Sequence, residues 1–193
     1  STTILDQIDS LFTWTGEKLE NVENVLVSIG PGSFTGVRIA ISVVKGMFYG
    51  KNVNFYQVNE LDALAYQAFY SLDNSFLSQH DEDNEKDKIK IYSMIDSGKE
   101  KIYYAAYETI AKETVELSQI ENYEVSRLDN LLEKLDNEKK KVIIVGDAGI
   151  NYREKIMKIV GKKVCFPLED RMVISTATFM QMFLNNILEK SDI

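Results

Sequence analysis

The chain has 193 residues, 45% of them hydrophobic, with 22 basic side chains against 30 acidic ones and a net charge of −8. That apolar content is enough for one core or two small ones, whereas the acidic balance excludes a protein that wraps a nucleic-acid backbone by itself, which needs clustered Lys and Arg. The single cysteine, Cys165, excludes an internal disulfide, and no apolar run reaches the roughly 20 residues that span a bilayer, so a soluble, cytoplasmic protein is expected.

Ile4, Leu5, Ile8, Leu11 and Phe12 recur at helical spacing and predict an amphipathic helix ending near Gly16. Val25-Leu26-Val27-Ser28-Ile29 is short, β-branched and apolar, as a buried strand should be. It runs into Gly30-Pro31-Gly32-Ser33-Phe34-Thr35-Gly36-Val37-Arg38. Gly30 and Gly32 allow a sharp reversal and Pro31 fixes one φ between them. Either Ser33 or Thr35 can cap the helix that follows, from about Thr35 to Tyr49, stopped by Gly50.

That helix is apolar on two sides. Val37, Ala40, Ile41, Val44 and Phe48 form one stripe and Ile39, Val43 and Met47 another, leaving Arg38, Ser42 and Lys45 as the polar strip. Covering a sheet takes one stripe; the second asks for another layer, from the first helix or from a partner.

Val53 to Val58 reads as a strand, followed by a helix from Asn59 with Leu61, Leu64, Ala65, Ala68, Phe69 and Leu72 on its apolar face. Residues 73 to 90 turn polar, with the charged run Asp81 to Lys88, and read as a loop or linker. Ile89 to Ile95 and Lys101 to Glu108 flank a turn and predict a hairpin, with a third strand at Glu113 to Leu117. Leu128, Leu131, Leu132 and Leu135 mark a helix, Lys141 to Val145 a buried strand, and Tyr152 to Val160 a helix. A short strand at Val164 to Phe166 and a last helix from Ser175 to Leu188 complete an α/β chain.

The stretch from Gly30 to Lys45 resembles the signature of the TsaB family, also called YeaZ, bacterial proteins required to make threonylcarbamoyladenosine in transfer RNA. Asp96-Ser97-Gly98-Lys99-Glu100-Lys101-Ile102-Tyr103 resembles the family's Asp-Ala-Arg-x-x-Glu-Val-Tyr region, with Gly98 where Arg is common, and Val145-Gly146-Asp147-Ala148-Gly149 fits its later Gly-rich strand end. The resemblance implies an actin-like ATPase or sugar-kinase fold of the ribonuclease H-like superfamily, with two related subdomains. These would be residues 1–72, lacking the family's first strands, and 89–193, whose last helix packs between subdomains, joined by a polar linker at 73–88.

It also implies a non-catalytic subunit that supports a TsaD-like catalytic partner, is joined by a TsaE-like ATPase, reaches tRNA mainly through the complex, and forms a homodimer when alone. No cofactor is expected. The partner interface would comprise Ile4, Ile8, Leu11 and Phe12 with Val37, Ile41, Val44 and Phe48. The rival readings are a self-associating nucleotide-binding transferase and a regulatory protein acting without TsaD.

For the rival enzyme, Gly30, Pro31, Gly32, Ser33, Thr35, Gly36 and Arg38 are the residues of a possible anion contact. The spacing fits neither the P-loop, which needs Gly-x4-Gly-Lys, nor the dinucleotide fingerprint, since three residues separate Gly32 from Gly36. A structural turn is the preferred reading. The catalytic relatives carry a His-x-x-x-His metal motif, but this chain has only His80, inside the polar linker. Asp96 and Asp147, at strand ends, are read as turn-stabilising carboxylates with a functional role as the alternative. Lys139-Lys140-Lys141 is read as a solvated strand entrance.

Overall fold

The computed structural model describes residues 3–71, 88–110 and 117–191. Helix α1 (Ile4–Thr15) opens on Thr3: its hydroxyl accepts the Asp6 N–H, and the Asp6 carboxylate accepts the Thr3 N–H at 2.8 Å. This reciprocal cap satisfies two otherwise free donors, and Gly16 closes the helix in the left-handed region at φ 72°. Strand β1 (Asn24–Gly30) then passes through the Gly-rich turn into α2 (Phe34–Met47). Strand β2 (Asn54–Asn59) lies parallel to β1, with Asn24 opposite Asn54 and Ser28 opposite Val58. Helix α3 (Glu60–Ser71) follows with no intervening loop, because the Asn59 side chain accepts the Leu61 N–H at 2.8 Å and starts it directly.

A meander of β3 (Lys88–Gly98), β4 (Lys101–Ile110) and β5 (Ser118–Arg127) opens the second half. Lys99 and Glu100 join the first two strands with both φ angles positive, a turn whose twist suits a hairpin. Helix α4 (Leu128–Asp136), β6 (Val142–Val145), the short α5 (Asp147–Asn151) and α6 (Arg153–Ile159) come next. Strand β7 (Val164–Cys165), α7 (Thr176–Leu184) and β8 (Lys190–Ser191) finish the described chain.

The strands form two sheets, one ordered β1-β2-β8 and the other β5-β4-β3-β6-β7. Helix α3 lies between them. Leu61, Leu64, Ala65 and Ala68 pack on Ile89, Ile91, Ala105, Ile143 and Val145 of the larger sheet, while Ala63 and Tyr66 pack with Val58 of β2 and Met182 of α7. A third core, under α4 and α6 on the opposite face of the larger sheet, contains Tyr92, Ile102, Leu131, Leu132, Ile144 and Ile156. The layers are therefore α2, first sheet, α3, larger sheet, and α4 with α6.

Four details differ from the sequence-based expectation. Strand β5 occupies Ser118–Arg127, where no strand is predicted, because its side chains are mostly exposed and its apolar ones, Ile120, Tyr123 and Val125, make no regular period-two stripe. The final helix ends at Leu184 rather than near Leu188: Asn186 takes φ 56° and the chain turns out to place β8 antiparallel to β2. The Gly-rich segment after β6 leads directly into a short helix of its own, Asp147–Asn151. Helix α3 buries a second face that the sequence pattern did not single out. Leu72, the polar run from 73 to 87 with His80, and residues 113–116 of the expected third strand lie outside the described residues.

Candidate functional site

The Gly-rich turn is held from below by β1 and α3. Gly30 is buried with φ 88°, and a Cβ there would sit 3.2 Å from the Gly32 nitrogen and 3.4 Å from Val37, so the α2 start packs directly on the turn. The Ser28 hydroxyl accepts the Gly30 N–H at 3.1 Å and donates to the Glu60 carboxylate. Glu60 also faces Gly32, where a Cβ would lie 3.8 Å from its second oxygen. A carboxylate in that position repels phosphate from the turn.

Ser33 is the N-cap of α2, accepting the Gly36 N–H at 3.2 Å, and this decides between the two capping candidates. Thr35 lies inside the first turn of the helix. The Arg38 guanidinium lies 3.8 Å over the centre of the Phe34 ring, one helical turn away, instead of reaching into the turn. The turn thus works as a joint between strand and helix: Gly30, Pro31 and Gly32 reverse the chain, Ser33 caps, and Gly36 fits close under the Ser33 side chain.

The two first helices present an unusual surface. Neither α1 nor α2 contains a buried residue. Trp14 is 84% exposed, Phe34 70%, Leu11 55%, Leu5 52% and Ile39 51%. Of the residues expected at a partner interface, Ile4 and Leu11 are exposed, whereas Ile8, Phe12, Val37, Ile41 and Val44 are half-buried. Phe48 departs from that expectation. It is the C-cap residue of α2, 8% exposed, and meets Phe55 of β2 edge-on at 6.2 Å, so it belongs to the interior. The stripe containing Val37 and Phe48 leans on the first sheet, and the Phe34 and Ile39 side of α2 is left facing outward.

Asp96 and Asp147 meet at the ends of β3 and β6. Asp147 accepts the Asp96 N–H at 2.8 Å; Asp96 in turn accepts the Gly98 N–H at 2.7 Å, the Asn151 amide at 3.0 Å and the Tyr152 hydroxyl at 3.2 Å. Both carboxylates are occupied in fastening the hairpin turn to α5. The lysine run is partly neutralised from within: Lys140 pairs with Glu108 at 3.0 Å, and Glu138 takes Lys90 together with the Lys139 and Lys140 N–H groups.

One constellation escaped the sequence. Asp62 of α3 accepts the Tyr107 hydroxyl of β4 at 2.6 Å and the Tyr123 hydroxyl of β5 at 2.7 Å, tying the central helix to the larger sheet. Burial first, and then the Asp62 charge, pushes the Tyr107 phenol far above its ordinary range, so it stays a donor. Burial and the same carboxylate raise Tyr123. The three residues are 16 or more positions apart in sequence and no motif connects them. Among the described residues no group of three or more His, Cys, Asp or Glu side chains is placed to hold a metal ion, and no helix is long and apolar enough to cross a membrane.

Two sheets sharing a central helix, with a Gly-rich strand-to-helix joint and two helices that expose apolar side chains, make an α/β protein that, with the family match below, fits the actin-like, ribonuclease H-like class. The chain belongs to the family described as TsaD: tRNA N6-adenosine threonylcarbamoyltransferase, whose model matches residues 1–187. Its relatives there are TsaB (YeaZ) proteins. It is 35% identical over 66 residues to the tRNA threonylcarbamoyladenosine biosynthesis protein TsaB of Haemophilus influenzae, covering 34% of this chain and 28% of that protein. The TsaB of Buchnera aphidicola subsp. Schizaphis graminum is 23% identical over 150 residues, 77% of this chain and 64% of the relative, and that of Escherichia coli 26% over 105 residues, 54% and 39%. The matches thus span less than two thirds of each of these relatives. Two solved structures from Pseudomonas aeruginosa share the fold: a protein described as similar to peptidase YEAZ, with TM-score 0.60 and 19% identity, and YeaZ, with TM-score 0.59 and 18%. Each match covers 97% of this chain and 78% of the other.

Proposed function

We propose that this chain is a non-catalytic subunit in the formation of N6-threonylcarbamoyladenosine in tRNAs reading codons that start with A, supporting a TsaD-like catalytic partner in the cytoplasm. The observation that carries this reading is the apolar surface of α1 and α2, where Leu5, Leu11, Trp14, Phe34 and Ile39 are each more than half exposed. Patches of that kind on a folded domain mark a surface made for another protein. In this reading α1 and α2 complete a helical bundle with the partner, and the same face closes a homodimer when the chain is alone. A TsaE-like ATPase joins the pair, and tRNA is held mainly by the other subunits, in keeping with the net charge of −8. The names of the TsaB relatives support the pathway. The use of Ser33 as a helix cap and the carboxylate beside the turn support the absence of a catalytic or cofactor role there. Residues 1–72 and 89–193 act as two subdomains in this scheme.

The test is size-exclusion chromatography with light scattering, on the chain alone and mixed with the TsaD-like protein of the same organism. A one-to-one complex that displaces the homodimer is expected, and it should be lost in a Leu11→Glu, Ile39→Glu double variant of unchanged circular dichroism. Two unchanged peaks in the wild-type mixture would overturn the reading.

A further inference from the structure

Between the two sheets lies a cavity of about 460 Å³, within the size range of small-molecule sites. Its walls come from β2, α3, β4, β5, α7 and the segment leading to β8. Tyr66, Phe69, Tyr107 and Tyr123 supply four aromatic rings, Met182 and Leu188 an aliphatic side, and Asp62 a carboxylate in the wall; Glu189 borders the same space. Among the described residues, no Lys, Arg or His lines it. Asp62 is built into place, since both of its oxygens are pinned by phenols at 2.6 and 2.7 Å. Those two bonds leave about half of the carboxylate's acceptor positions open. Asp62 has no cationic partner among the described residues, so its charge is met by the two hydroxyl dipoles and by the positive end of the α3 dipole, in whose first turn it sits.

Such a cavity disfavours phosphates and carboxylates, because an anion entering it meets Asp62 and Glu189 with no cationic side chain among the described lining residues. A cation with an apolar body is suited on every side. The charge is met by a carboxylate and by the faces of electron-rich rings, which attract ammonium groups, and the stem covers the aliphatic wall at a gain of about 25 cal/mol per Å² removed from water. We propose that this cleft binds an organic cation: an ammonium group on an aliphatic stem, seated against Asp62 with its stem along Tyr66, Phe69 and Met182. The site is separate from the exposed face of α1 and α2 and does not depend on the partner reading.

The test is isothermal titration of the full chain with three six-carbon probes, hexylammonium, hexanol and hexanoate, together with Nα-acetyl-lysine methylamide. Hexylammonium should bind one-to-one and about tenfold more tightly than hexanol, with hexanoate weaker still. A preference for hexylammonium over the lysine derivative assigns a free amine, and the reverse preference a lysine side chain; either supports the cation site. Equal affinity for hexylammonium and hexanol, or tighter binding of hexanoate, would overturn it. Asp62→Asn should remove the preference for the ammonium. If that variant does not fold, the wild-type protein and Glu189→Gln decide: hexylammonium affinity should fall as salt is raised and should be weaker in Glu189→Gln, and an affinity unchanged by both would overturn the proposal.

Discussion

The Gln67 side chain of α3 accepts the Thr178 hydroxyl of α7 at 2.7 Å, deep in the interior and 111 positions away in sequence. The same carboxamide accepts the Ser175 N–H at 3.0 Å and donates to the Arg171 and Val173 carbonyls at 2.9 and 2.8 Å. One buried amide thus fastens the approach to α7 onto the central helix. Replacing it with Leu leaves two carbonyls, one N–H and one hydroxyl without partners. Gln67→Leu is expected to cost about 3 kcal/mol, and Thr178→Val about 1 kcal/mol, in urea unfolding followed by circular dichroism. An equal, small loss in both would mean that water replaces these bonds.

Gly146 ends β6 with φ 103°, and a Cβ there would lie 2.0 Å from the Met94 carbonyl oxygen. Backbone cannot give way as a flexible side chain does. Gly146→Ala is expected to destabilise by about 4 kcal/mol or more, whereas Gly161→Ala, at φ 70° with open space around it, should lose only about 1 kcal/mol through the left-handed backbone penalty. Melting temperatures of the two variants check the contrast.

Burial raises the phenols of Tyr66, Tyr92, Tyr104, Tyr107 and Tyr123 above their ordinary value, Tyr66 to about 12. The folded state therefore holds these protons where the unfolded chain has released them. Stability from this source is complete below pH about 10, the unfolded phenol value, and falls as pH rises toward the folded values. Absorbance titration at alkaline pH should show only part of the chain's 10 tyrosines ionising reversibly, the rest appearing together with loss of circular dichroism. Simultaneous, reversible ionisation of all of them in the folded protein would contradict the buried placement.

The cap of α2 gives a paired comparison. Ser33→Ala removes the acceptor for the Gly36 N–H and should cost about 1 kcal/mol. Thr35→Ala lies past the cap and should be close to neutral. Thermal melts that reverse this order would place the start of the helix about two residues further on.

Local elements were legible where a short stretch carries its own instructions. Leu128, Leu131, Leu132 and Leu135 repeat at helical spacing and all four are buried; Gly16 ends α1 as its position announces. The joint from β1 to α2 was also readable, because glycine, proline and a capping hydroxyl act within a few residues. Strand β5 was not, since pairing with β4 holds it through backbone hydrogen bonds while most of its side chains are exposed.

Composition and local pattern are enough for an acidic α/β chain with a helix too apolar for one covered face, and for the family resemblance that its Gly-rich turn carries. Tertiary structure alone decided which stripe of that helix turns inward, that Phe48 joins the interior, and that Asp62, Tyr107 and Tyr123 converge in one cleft. Spacing along the chain encodes which residues share a face of one element. Which faces meet depends on how two sheets pack around α3, a property of contacts between residues tens of positions apart, where no local pattern survives.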